Sequence, residues 1–204
     1  MRGTRARRAA QKLVVALFFF LESECARAQA EAASSASPAP AEWHVIASYG
    51  QASAPRSQGF AETTTLSAAR ESPLGAGFSW GFELTPLLLV NLTRVDLPGR
   101  PRESRAAVAA APFLSWEAFP RSPVGLRLEA SVGPLWAFSP VPAEGSRFNF
   151  LDILGGRVHV RVRDGVSLSG GLRRTHVSNL GFVGPDNPGL SFYSGVIGLS
   201  WPAR

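Results

Sequence analysis

The sequence predicts an all-β protein, an eight-stranded antiparallel transmembrane β-barrel of the outer-membrane type. Apolar and polar residues alternate with period two in run after run. Several runs exceed the ~5–6 residues of an ordinary strand and match the ~9–11 that a tilted strand needs to cross a bilayer. The connections between the runs alternate between short and long, as in outer-membrane barrels.

The chain opens with a segment that is not expected to join the barrel. Arg2, Arg5, Arg7, Arg8 and Lys12 form a basic region, Leu13 to Leu21 ("LVVALFFFL") an apolar one, and Ala28 to Ala30 ("AQA") offer small residues for cleavage. Residues 1–30 therefore read as a secretory signal peptide, with an apolar run too short for a membrane helix. The alternative is a buried N-terminal helix. Cys25 lies inside this segment, and "ESEC" is a poor lipidation box. The mature chain would have no cysteine and no disulfide.

Six basic and two acidic residues fall in the leader, leaving 15 arginines against 13 acidic residues. The net charge of +6 belongs mostly to the leader. Nucleic acid is thus not an expected partner. Every basic residue after 30 is Arg, which suits phosphate recognition or reflects codon usage. Residues 31–41, "EAASSASPAPA", read as a disordered lead-in, and the barrel domain is expected over 42–204.

Eight strands follow, at 43–49, 59–68, 76–90, 106–119, 124–138, 148–163, 166–178 and 191–201, of which the second is least well marked. In "GFSWGFEL", Phe78, Trp80, Phe82 and Leu84 share a face opposite Ser79, Gly81 and Glu83. In "GLRLEASVG", Leu126, Leu128, Ala130 and Val132 oppose Arg127, Glu129 and Ser131. Val158, Val160 and Val162 oppose Arg157, His159, Arg161 and Arg163, and Tyr193, Ile197, Leu199 and Trp201 oppose Ser194, Gly198 and Ser200. With the N-terminus on the periplasmic side, the near turns are 69–75, 120–123 and 164–165. The outer loops are 50–58, 91–105, 139–147 and 179–190.

One face carries Phe, Trp, Val and Leu, with Trp80, Trp116 and Trp201 available for interfacial girdles. The other carries Glu83, Glu117, Arg127, Glu129, Arg157, His159 and Arg161. An eight-stranded barrel is filled by side chains, so these charges are expected to form a salt-bridged plug, which disfavours a passive pore. A soluble lipocalin-type barrel, with its apolar face inward, is the rival architecture.

Strand 166–178 departs from its own pattern. Val166, Leu168, Gly170 and Leu172 define the apolar face, and the same parity continues through Arg174, His176 and Ser178. Polar residues on a lipid-facing wall are functional candidates. The alternative is that the apolar belt has ended by residue 174.

"THVSNLGFVGPDNPGL", followed by a strand ending "GLSW", resembles the C-terminal signature of the lipid A 3-O-deacylase (acyloxyacyl hydrolase-like) outer-membrane family. That signature runs His-x-Ser-Asn-x-Gly, then a Pro/Asn-containing loop and the closing strand. "GFSWGFEL", "LEASVGPLWAF" and "FNFLDILGGRVHVRV" extend the resemblance more loosely upstream. The resemblance implies an eight-stranded barrel, with Ser178 as the nucleophile toward an ester-linked acyl chain and His176 as its general base. It further implies that Gly181 N–H and Asn187, or Asp186, receive the oxyanion, and that Asn179 holds the turn. The family's glutamate, which orients the histidine, falls at Leu190, a departure that Asp186 or Asn187 would have to cover.

Two positions along a strand separate Cα atoms by ~7 Å, near enough for an imidazole to lean onto a hydroxyl. The expected function is a serine esterase removing an acyl chain from lipid A of lipopolysaccharide in the outer membrane. No cofactor or metal is expected. Arg174 is a candidate contact for a lipid A phosphate or an ordinary interfacial arginine. The competing readings are a weakly active or inactive structural or adhesive barrel acting through loops such as 91–105, and an acyltransferase. Whether the barrel forms a homodimer is left open.

Overall fold

The computed structural model describes residues 40–52, 60–93, 103–120, 122–141, 145–163, 165–179 and 189–203. By its contacts the chain divides into two units, Met1–Ala39 with Leu74–Ala76, and Pro40–Pro73 with Gly77–Arg204. Of the first, only Leu74–Ala76 is described, as extended chain entering a turn. The expected leader, and the lead-in as far as residue 39, lie outside the described residues.

The second unit carries a closed antiparallel barrel in sequential strand order. Its strands are β1 Glu42–Ala52, β2 Phe60–Gly75, β3 Phe78–Thr93, β4 Glu103–Ala118, β5 Val124–Val141, β6 Ser146–Arg163, β7 Val166–Ser178 and β8 Leu190–Pro202. The first and last strands close the cylinder, from Glu42↔Pro202 to Ala52↔Phe192. Closure leaves no free edge, so every backbone group of the wall can pair within the sheet. No helix occurs among the described residues.

The alternation translates directly into two faces. Trp80, Phe82, Leu84, Leu126, Leu128, Val158, Val160, Leu168, Leu172, Ile197 and Leu199 lie exposed on the outer wall, while Glu83, Arg127, Glu129, Arg157 and His159 are buried inside. An apolar wall around a polar interior is the reverse of a lipocalin and excludes that rival. Trp43, Trp80 and Trp116 ring the wall near the end where β1 begins and β8 ends, and Tyr49, Trp136, Phe138 and Phe148 ring it toward the other. Amphipathic rings prefer these two interfacial levels.

Two details correct the expectations. Residues 69–75, expected to be a turn, continue β2, and the turn shrinks to Ala76 and Gly77, at φ 51° and 80°. The strand was obscured because its inward residues are Thr63, Thr65, Ser67, Ala69 and Glu71, set against an outer face that includes Ala68 and Arg70. Position 77 needs glycine for a second reason: a Cβ there would meet the carbonyl of Glu117 at 2.6 Å.

The second correction concerns the interior, which is layered. Toward the termini it is the expected charged plug. Arg173 forks onto Glu83 at 2.9 and 3.0 Å and also binds Glu129, which holds Arg157 at 2.8 Å. Arg127 joins Glu71 at 2.8 Å and Glu117 at 3.1 Å, while His44 and His159 reach the same two carboxylates. Toward the far end the filling is apolar instead. Leu88, Val90, Ala107, Ala109, Leu135, Ala137, Leu151, Val177, Leu190 and Phe192 pack into one buried cluster.

Candidate active site

Strand β7 alternates as its sequence requires. Arg173, Thr175 and Val177 point inward and are buried. Arg174, His176 and Ser178 occupy the opposite parity and are half-buried on the outer wall, at the end of the barrel where β7 ends and β8 begins. His176 and Ser178 therefore share one face of one strand, and that face looks out of the cylinder.

The neighbouring strands supply the rest of the site. On the β6 side, Asp152 stands opposite His176 and Phe150 opposite Ser178. On the β8 side, Ser191 stands opposite His176 and Tyr193 opposite Arg174. The imidazole Nδ1 lies 2.8 Å from Ser191 Oγ, a full hydrogen bond. Arg174 donates from Nη2 to the same hydroxyl at 3.5 Å, and its Nη1 pairs with Asp152 at 3.5 Å.

Gly189 explains how the imidazole fits beside the serine. A Cβ at this position would lie 2.5 Å from Cε1 and 2.7 Å from Nε2 of His176, and 3.1 Å from Cβ of Ser178. The ring edge that carries Nε2 and the carbon that carries the Ser178 hydroxyl thus converge on one small space, kept open by the missing side chain. With Nδ1 committed to Ser191, Nε2 is the ring nitrogen on the serine side.

Leu190 does not stand where the family's acid was expected to act. It is 2% exposed, faces the interior opposite Val177 and belongs to the apolar plug. One step along a strand reverses the face, so the outward position beside the histidine is Ser191. Leu190 thus fills the lumen, and the hydroxyl that meets the imidazole on the outer wall is that of Ser191.

Asn179 is buried directly after β7. Gly181, Asp186 and Asn187 lie outside the described residues. Sequence reading missed Asp152, Gly189 and Ser191. Asp152 and Ser191 belong to other strands, and only register brings them to His176.

A second group of titratable side chains, Glu42, His44, Glu117, Arg127, Arg157 and His159, lines a small cavity in the lumen near the termini. Glu42, His44, Glu117, Arg127 and His159 are tied to one another by ion pairs, and Arg157 pairs with Glu129. Among the described residues no group of acidic, histidine or cysteine side chains is arranged to hold a metal ion.

The comparisons with known proteins agree with this architecture. The sequence model of a family described as lipid A 3-O-deacylase (PagL) matches residues 59–200. Among solved structures, the chain is similar to the outer membrane enzyme PagL, at 19% identity and a TM-score of 0.54, covering 78% of this chain and 99% of that one. It is also similar to the Neisserial surface protein A, at 12% identity and a TM-score of 0.56, covering 82% of this chain and all of the other. At these identities the structural likeness is one of fold. No curated protein matches the chain.

Proposed function

Because the chain belongs to the lipid A 3-O-deacylase (PagL) family, we propose that it is a serine esterase that removes an ester-linked acyl chain from lipid A of lipopolysaccharide. The chain is an outer-membrane β-barrel. The observation that carries the reading is the convergence of His176 Nε2 and the Ser178 side chain on the space above Gly189, with Nδ1 held from behind by Ser191.

In the proposed reaction Nε2 of His176 accepts the hydroxyl proton as Ser178 Oγ attacks the acyl carbonyl. The tetrahedral intermediate collapses, the bond from acyl carbon to sugar oxygen breaks, and His176 returns the proton to that oxygen. Water then attacks the acyl-serine with His176 again as base, releasing the fatty acid and restoring Ser178. Ser191 keeps the ring in the orientation that turns Nε2 toward the serine. Gly181 N–H and Asn187, or Asp186, are assigned to the oxyanion, and residues 1–30 to export.

Phe148 and Phe150, 5.4 Å apart edge to face, lie beside Ser178 on β6 and offer an apolar wall for the departing chain. A site on the outer wall suits a lipid ester, because the substrate never has to leave the membrane. The test is release of a hydroxy fatty acid from lipopolysaccharide by the purified protein, followed by mass spectrometry of the remaining lipid A. Ser178→Ala should abolish release while the barrel keeps its heat-modifiable mobility on gels. Release at the wild-type rate from that variant would remove Ser178 as nucleophile.

A further inference from the structure

β8 brings no acid to His176, and the wall on its other side holds a charged pair. Asp152 and Arg174 are 38% and 41% exposed on the outer face. Their outward neighbours along the two strands are Leu154, at 60%, and Leu172, at 72%. Ionisable groups on a lipid-facing wall are expensive, whereas the plug in the interior accommodates nine charged or histidine side chains among the described residues. A pair placed outside instead calls for a functional explanation.

Register supplies one. Asp152 is the direct cross-strand partner of His176, so their Cβ atoms are separated by ~4.5–5.5 Å. Among the described residues, the other charged or titratable side chains facing this position are Arg174 on β7 and the Tyr193 phenol on β8. Ser191 can orient the imidazole but carries no charge to balance the imidazolium that forms when Ser178 gives up its proton.

Resting on the esterase reading, we infer that Asp152 supplies this balancing charge from the opposite side of the ring, with Arg174 holding the carboxylate in place. Asp152 is then a positioning residue that acts through His176 and takes no proton itself. Arg174 is assigned to the carboxylate, and its neighbouring positive charge weakens the effect on the ring.

A carboxylate within ~4–6 Å favours a charged partner by roughly tenfold or more. Asp152→Asn should therefore lower kcat for fatty-acid release about 10-fold with KM within twofold, and Asp152→Glu should restore most of the loss. Arg174→Gln, which frees the carboxylate, should lower kcat by less than Asp152→Asn does, with KM within twofold; a raised KM would make it a substrate contact and overturn its assignment here.

Covalent labelling of Ser178 by an alkyl fluorophosphonate repeats the test without lipid A. If the wild type labels at Ser178 and Asp152→Asn slows labelling about 10-fold, the inference holds even where no lipid A is cleaved, which would sink only the substrate assignment. Equal rates in wild type and Asp152→Asn, in an assay where Ser178→Ala is inert, would overturn it and spare the esterase reading. A loss not rescued by Asp152→Glu, or one shown instead by Asp186→Asn alone, would also overturn it. A wild type that neither labels nor hydrolyses removes both.

Discussion

His176 and Ser191 are joined across the β7–β8 seam by a hydrogen bond of 2.8 Å between a ring nitrogen and a hydroxyl. A neutral hydroxyl fixes the direction of the ring without contributing charge. Ser191→Ala should lower kcat roughly tenfold, well short of the ~10⁴ lost with the buried acid of a Ser-His-Asp triad. Ser191→Asp should raise kcat above wild type. Steady-state release of hydroxy fatty acid from both variants checks the pair of outcomes.

Gly189 is the narrowest point of the site. A methyl group there would sit 2.5 Å from the imidazole, so the ring has to swing away from Ser178. Gly189→Ala should cut kcat at least ~100-fold, in keeping with the steep dependence of such reactions on alignment. Far-UV circular dichroism and heat-modifiability should stay at wild-type values. A variant with full activity would show that the imidazole works from another position.

The interior plug should dominate stability. Arg173 is almost wholly buried and holds both Glu83 and Glu129, so Arg173→Met leaves two carboxylates short of their partner. Breaking a buried ion pair from one side costs about 3–5 kcal/mol. Urea unfolding in detergent micelles or liposomes should show a loss of that size.

The outer wall offers a contrasting test. Ile197 is 69% exposed and stands opposite Gly170, midway along β8. Ile197→Arg would put a charge against lipid at about 2–4 kcal/mol if the position lies near the midplane. The penalty should appear in liposomes and shrink in short-chain detergent, where water reaches the wall.

Much of this was legible in local sequence. In β7, Val166, Leu168 and Leu172 against Ser167, Ser169 and Arg173 establish the parity that carries His176 and Ser178 outward. The far half of the lumen was not legible. The run Ala106 to Ala111 is small and apolar on both faces, so alternation gives no sign of which side is interior. Asp152, Gly189 and Ser191 escaped notice for another reason: their relation to His176 is one of register between strands. Leu190 turns inward and Ser191 outward, since in a strand one residue is the whole thickness of the wall.

The outward parity of His176 and Ser178 confines all traffic to the plane of the membrane. On the proposed function, a lipid substrate reaches these side chains by lateral diffusion. Turnover should accordingly follow the mole fraction of substrate in the surface rather than its bulk concentration, so adding inert detergent to mixed micelles at constant total lipid A should slow the reaction by surface dilution.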